Sequence, residues 1–525
     1  MTGVHAPASA DDPKTIRSEA APMDLITTAK DGMSQLDVSE KVKSAALANL
    51  QTWLTEPAFA EYAPQIRYLI EAGKWDVLLD SFYQVIPFGT GGRRGPVGIG
   101  PNRINAWTIQ ASAQGHSQYL LRIYGEEAKR RGVVMTFDVR KYRLKGIYSD
   151  EIPNPVKDLD GWRLARAAAE VYAANGIKSY LFEGVRSTPE LSFAIRHLKA
   201  IAGDMFSASH NLPTDNGKKV YDEFGGQLIP PHDQALVDEV TGNVEAIRHL
   251  PFDEARRRGL VVILGEEIDR TYEDAACGVS LSGERGLKIF YSPLHGTGIT
   301  TVYPVLKRLG FDVTLCPATS NLSGAFEKVT FNIPNPEVVE SFSASLPLAQ
   351  QAGADILLST DPDADRIGIM VNHRGQWLFL TGNEIGILLA NYAIDRLRAA
   401  GRLTPQRVIV KTDVTTALID QMARVNHITC VGDLLVGFKY VAEEMNKLES
   451  AGRRSDFIFG CEESHGYLTG TYARDKDAAG AAVWIAEYAA QLKQRGRTLV
   501  DALEEIYSAY GYCHNYLTEI RLLGA

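Results

Sequence analysis

An apolar run that breaks into a polar loop and then into a stretch of helical periodicity recurs three times between Gly132 and Ala423. This alternation restricts the chain to an α/β architecture, sheets with helices on their faces. Gly132 to Phe137 leads to the helical stretch Trp162 to Asn175. Lys288 to Tyr291 leads through Pro293-Leu294-His295-Gly296-Thr297-Gly298 to a helix ending near Leu309, and Val408-Ile409-Val410 precedes a helix from about Thr415. A chain of 525 residues is too long for one hydrophobic core, so several domains are expected. The polar stretches Asn243 to Arg258 and Asn372 to Gln376 are read as boundaries. They imply a tail and the start of a helical extension over 1–50, a first domain over 51–250, a second over 251–375, a third over 376–510 and the start of a fourth over 511–525. Apolar spacing from Ser34 to Lys74 predicts one or two amphipathic helices in the extension.

Three further readings bound the function. No apolar run approaches the ~18 residues of a membrane span, so no membrane role is expected. A formal charge of −9 weighs against non-specific nucleic-acid binding but leaves a small anionic substrate open. The five cysteines form no C-x-x-C pair and read as free thiols of a reducing compartment. Met1 to Pro22 lacks the basic and apolar regions of a signal peptide, so a disordered tail on a cytoplasmic protein is expected. Oligomeric state is not legible.

Five loops carry chemistry. Phe206 to Lys219 holds a hydroxyl, an imidazole and lysines within a short span, which suits a nucleophile, a proton carrier and an anion clamp, although Asn216-Gly217 and Leu212-Pro213 are also ordinary turn formers. Asp361-Pro362-Asp363-Ala364-Asp365-Arg366 follows an apolar strand with carboxylates at every second residue. Three hard oxygen donors suit Mg²⁺, whereas a Ca²⁺ loop would need glycine where Arg366 stands. An aspartyl-phosphate nucleophile or a solvated acidic loop are the other readings. Gly460 to Tyr467 offers Glu462 and Ser464 for sugar hydroxyls or for helix capping. Arg474 to Asp477 precedes an Ala-rich helix, and Phe88 to Gly95 combines glycines with two arginines suited to an anion, without the Gly-Lys-Ser/Thr of a Walker loop.

Together these loops resemble the α-D-phosphohexomutase family, its phosphoglucomutase branch in particular. The family's T-A-S-H-N-P and N-G-x-K are matched by Ser207-Ala208-Ser209-His210-Asn211 with Asn216-Gly217 and Lys219, its D-P-D-A/G-D-R by Asp361 to Arg366, and its G-E-x-S by Cys461 to Ser464. Phe88 to Gly95, Arg186 to Pro189, Ser292 to Gly296, Gly382 to Glu384 and Val436 to Lys439 are similar to further family stretches, in family order. The resemblance implies three similar α/β domains with mixed sheets around a central cleft. The family's fourth domain, with an R-x-S-G-T-E/N-P loop for the non-reacting phosphate, is expected to be truncated, since Tyr512 to Leu523 looks like only its first strand.

The implied activity is interconversion of a sugar 1-phosphate and a sugar 6-phosphate, glucose by preference, through a phosphoserine and a bisphosphorylated sugar. The partner is a small-molecule sugar phosphate, the cofactor Mg²⁺ and the activator a sugar 1,6-bisphosphate. The resemblance makes Ser209 the phosphoserine, with His210, Lys219, Arg366, Lys476 and Arg94 catalytic, Glu462, Ser464, Gly460 and Lys439 on the substrate, and Asp361, Asp363 and Asp365 with Ser209 around the metal. A sugar-bisphosphate synthase using the same serine, or a non-catalytic sugar-phosphate binder, are the alternatives.

Overall fold

The computed structural model describes residues 21–89, 91–242 and 244–516. The expected tail therefore lies outside the described residues up to residue 20. A helix already begins at its last residue, over Pro22–Met33, earlier than the expected extension. Proline at its first position is pre-organised for a helix, and Leu25, Ala29 and Met33, four residues apart, form its buried stripe.

That helix, the helices Glu40–Thr55, Ala63–Glu71 and Trp75–Phe82, and the segments 99–102 and 145–155 make one compact unit. Residues 51–85, expected in the first domain, belong here instead. The unit closes on an aromatic core in which Trp53 stacks on Phe59, their ring centres 4.4 Å apart. The buried Gln65 side chain donates to the carbonyls of Ser149, Ile152 and Pro153, tying segment 145–155 to the helices.

The second unit contains three mixed sheets. The first is built from β1 (Gly92–Pro96), β2 (Val133–Phe137), β3 (Ser179–Phe182), β4 (Ala202–Phe206), β5 (Asp215–Tyr221) and β6 (Val261–Leu264), in the order β1-β5-β4-β2-β3-β6. From β4 to β6 all pairs are parallel, while β5 and β1 are antiparallel additions. The second holds β7 (Lys288–Ser292), β8 (Asp312–Leu315), β9 (Ile356–Thr360), β10 (Ile367–His373) and β11 (Gln376–Leu380), ordered β11-β10-β9-β7-β8. The third holds β12 (Val408–Thr412), β13 (Thr429–Leu434), β14 (Phe457–Glu462) and β15 (Gly466–Leu468), ordered β13-β12-β14-β15.

Two edge strands lie just past expected domain edges. β6, past residue 250, extends the first sheet by pairing with β3. β11, just past residue 375, pairs with β10 in a hairpin. Residues 511–516 form no strand, and the remainder of the expected fourth-domain strand lies outside the described residues.

The central strands are apolar throughout because helices cover both faces; every residue of β2, β4, β9 and β14 is buried. The helix Ala478–Lys493 is apolar on nearly every side and sits in a core shared by the second and third domains, with Trp484 packed near Tyr392 and Phe459. Helices on the faces leave the carboxyl ends of parallel strands open, which is where sheets of this kind carry their chemistry. β4, β9 and β14 all end there in the loops singled out above.

Candidate active site

The loop after β4 is buried although it belongs to no element: Ser207, Ala208 and Ser209 are each at most 2% exposed. Its hydrogen bonds come from the end of the adjacent β2. Asp138 accepts from the Ser207 hydroxyl at 2.6 Å, and that hydroxyl accepts from the Ser209 N–H at 2.8 Å. The fully buried Arg140 guanidinium donates to the carbonyls of Asn211, Leu212 and Asp215 at 2.7, 2.6 and 3.0 Å and also to that of Ser209, with the Phe326 ring 5.3 Å away. Burial pushes the Asp138 carboxyl up to about 6 against the pull of Arg140 and the Ser207 hydroxyl. Ser209 itself has φ +50°, a left-handed conformation that costs a non-glycine residue about 1 kcal/mol or more and persists only where surrounding bonds enforce it.

The acidic loop folds back on its own backbone. Asp361 Oδ1 accepts the N–H groups of Asp365 and Arg366, both at 3.1 Å, while Ala364 turns through φ +52°. The turn after β7 supports it from below. Thr297 donates its N–H and hydroxyl to the Pro362 carbonyl, and Gly296 lies so close that a Cβ there would sit 2.5 Å from the Pro362 Cα. Thr188, at the start of the helix Thr188–Leu198, donates its N–H to the Asp363 carbonyl at 2.9 Å and its hydroxyl to Asp363 Oδ2 at 2.7 Å.

These loops meet. Ser209 Oγ donates to Asp361 Oδ2 at 2.7 Å and lies 3.2 Å from His210 Nδ1. Lys219, from β5, reaches Asp363 at 2.6 Å and Asp365 at 3.7 Å. Lys476, fixed just before the Asp477 cap of the helix Ala478–Lys493, reaches Asp365 at 3.3 Å, Asp475 at 3.0 Å and Glu462 at 3.8 Å. Burial opposes both lysine charges, but the facing carboxylates outweigh it and hold both ammonium groups above the ordinary lysine value. His210 is held well below the usual imidazole value by burial, then by Arg366 and Arg94, so it is neutral.

The remaining candidates divide. Arg94 is exposed on β1 opposite Gly217, whereas Arg93 alternates into the interior and donates to the Thr108 carbonyl. Glu462 accepts from the Gly437 N–H at 3.1 Å, and Ser464 is half-buried two residues on. At Gly460 the space its missing side chain leaves is filled by Val441, Phe457 and Phe438. Lys439 binds its ammonium to Asp233 at 3.0 Å. The sequence reading missed Asp138, Arg140 and the role of Thr188. It also missed His465, which stacks on Phe379, lies with Nδ1 3.2 Å from the Ile367 carbonyl and is pushed down to about 4 by burial. The usable signal was position: each stands within a few residues of the end of a parallel strand or the start of a helix.

The donor set fits a divalent metal. One carboxylate oxygen from each of Asp361, Asp363 and Asp365 lies within 4.8 Å of the others, and all three residues are buried. Asp363 Oδ1 and Asp365 Oδ1 have no hydrogen-bond partner. Burial, then the charges of Asp363 and Asp365, drives the Asp361 carboxyl well above the usual range. On Asp363 burial acts the same way, but Lys219 and hydrogen bonds outweigh it and hold the group low. Buried, unsatisfied hard oxygens crowded by like charge are what a hard cation relieves.

Comparison with known proteins gives the same grouping. Sequence models of the phosphoglucomutase/phosphomannomutase α/β/α domains I, II and III match residues 159–246, 269–375 and 381–510. The chain is 34% identical over 430 residues to a phosphoglucomutase of Staphylococcus epidermidis, covering 80% of this chain and 72% of that one. It is 32% identical over 437 residues to a phosphoglucomutase of Staphylococcus saprophyticus, covering 82% and 74%. A crystal structure of a phosphoglucomutase/phosphomannomutase family protein from Burkholderia thailandensis superposes with a TM-score of 0.60 at 17% identity, covering 80% of this chain and 79% of that one, a likeness of fold.

Proposed function

Since the chain belongs to the phosphoglucomutase/phosphomannomutase family and is a sugar-phosphate mutase, we propose that it works by relaying a phosphoryl group through Ser209, with glucose phosphates as the preferred substrates. The observation that carries this reading is the 2.7 Å hydrogen bond from Ser209 Oγ to Asp361. It joins the serine that the resemblance marks as the nucleophile to the acidic cluster, although 152 positions separate the two residues.

In the proposed cycle phosphoserine 209 gives its phosphoryl group to a free hydroxyl of the sugar monophosphate. The serine P–O bond breaks, a sugar P–O bond forms and the sugar hydroxyl proton passes to a neighbouring base. The resulting bisphosphate reorients, and Ser209 Oγ takes the other phosphoryl group: that sugar P–O bond breaks, the sugar oxygen takes up a proton, and Oγ loses its own proton as the new bond forms. His210, neutral and 3.2 Å from Oγ, is the proposed holder of that proton. Lys219, Lys476, Arg366 and Arg94 offer positive charge around the transferring group, where transfer depends on positioning and charge neutralisation. Asp361, Asp363 and Asp365 would hold Mg²⁺ with Ser209. The ion supplies Lewis-acid neutralisation of phosphoryl charge when bound. Glu462 and Ser464 read the ring hydroxyls in both orientations, and a sugar 1,6-bisphosphate activates the enzyme by loading Ser209. The five free cysteines suit the cytoplasm, where we place the enzyme.

The test is a coupled assay from glucose 1-phosphate with bisphosphate primer. Ser209→Ala is expected to lower turnover by ~1000-fold or more, since the relay group is gone. Near-normal turnover of that variant would refute the assignment.

A further inference from the structure

One carboxylate beside the cluster has no part in this mechanism. Arg366 pairs with Glu337, which comes from the loop between β8 and β9 and not from the acidic loop. The backbone around Arg366 has no freedom to adjust: its own N–H goes to Asp361, and the next N–H, of Ile367, goes to the His465 carbonyl at 3.0 Å. Only the side chain can move. Its Nε is buried without a hydrogen-bond partner and Asp365 stands 3.9 Å away, so among the described residues Glu337 is the carboxylate that hydrogen-bonds the guanidinium and directs it.

The Glu337 loop is itself held against the strand that carries Arg366. Asn335 Oδ1 accepts from the Glu337 N–H at 3.0 Å and sets the turn. Gly368 leaves the room for it: a Cβ there would meet the Pro336 carbonyl at 2.4 Å and the Phe342 ring at 3.2 Å. Both partners of the pair remain about one-fifth exposed, 19% for Arg366 and 22% for Glu337, so an anion entering the cleft can reach the guanidinium.

We propose that Glu337 is a positioning residue, holding the Arg366 guanidinium in one orientation in the free enzyme and competing for it with the phosphoryl group of the entering substrate. The proposal rests on the mutase reading above. A carboxylate that orients an arginine in this way lowers its affinity for any phosphate while improving its alignment in the transition state.

The experiment is a double-mutant cycle of Glu337→Gln with Arg366→Gln, read both as kcat with glucose 1-phosphate and as calorimetric affinity for inorganic phosphate. Glu337→Gln is expected to tighten phosphate binding several-fold and to lower kcat about tenfold without raising KM. Both effects should vanish beside Arg366→Gln. Gly368→Ala, which displaces the Pro336 segment, should reproduce them without touching either charge. Unchanged phosphate affinity, a raised KM, or effects that persist undiminished beside Arg366→Gln would overturn the proposal. A wild-type enzyme inactive on sugar phosphates, in which Glu337→Gln still tightens phosphate binding, would sink the mutase reading and leave the Glu337 assignment standing.

Discussion

Arg140 shows how much of the site depends on residues that brace the serine loop. Its guanidinium gathers four carbonyls of the serine loop, those of residues 209, 211, 212 and 215, and its charge faces Asp138. No other side chain has enough donors in a planar fork to do this, and lysine, a point charge, could satisfy only part of the set. Arg140→Met would leave Asp138 buried without its counter-charge and release the left-handed turn at Ser209. The expected cost is about 3–5 kcal/mol in unfolding free energy. Urea denaturation checks it, and a loss below about 1 kcal/mol would show that the loop holds its shape without the clamp. Neither Arg140 nor Thr188 was legible as a site residue. Their partners lie far along the chain, Thr188 and Asp363 being 175 positions apart, and a single sequence carries no signal for such a pairing.

Among elements, the acidic loop depends on the turn that follows β7. Gly296 has no room for a side chain because the Pro362 backbone packs against it. Gly296→Ala should push the loop outward and spread the three carboxylates, and apparent Mg²⁺ affinity, read by titrating activity with the metal, should fall ~10-fold or more. An unchanged titration would show that the carboxylates hold their spacing without that turn. The acidic loop itself was legible because β9 is buried on both faces and reads as a continuous apolar run, so carboxylates directly after it stand out. The pairing of the strands at those two sheet edges was not legible. β6 and β11 are short strands on sheet edges, and their place is decided by pairing with β3 and β10, which local composition does not reveal. The partner of Lys439 was not legible for a related reason: its loop resembles a family motif, and the pairing with buried Asp233 spans distant parts of the chain.

At the scale of the whole molecule, the second unit buries imidazoles that must stay neutral. His465 is pushed down to about 4 by burial, and His116 and His210 are also lowered, again chiefly by burial. An imidazole whose folded value lies below its unfolded 6.5 binds fewer protons in the native chain than in the unfolded one between those two values. Stability is therefore complete above about pH 6.5 and is lost as pH falls toward 4, with His465 alone contributing on the order of 3 kcal/mol. Urea midpoints measured across that range should drop, and the slope should flatten in His465→Gln. A slope identical to wild type would mean that His465 is not buried as described.

The same packing brings a serine from the first sheet, aspartates from the second and a lysine from the third to one point. The most direct test loads Ser209 with radiolabelled phosphate from glucose 1,6-bisphosphate and then adds unlabelled glucose 1-phosphate. The label is expected on Ser209, and it should pass to the sugar as bisphosphate when Mg²⁺ is present and remain on the protein in chelator. Label on another residue, or discharge that proceeds undiminished in chelator, would contradict a serine relay whose charge the aspartate-bound cation balances.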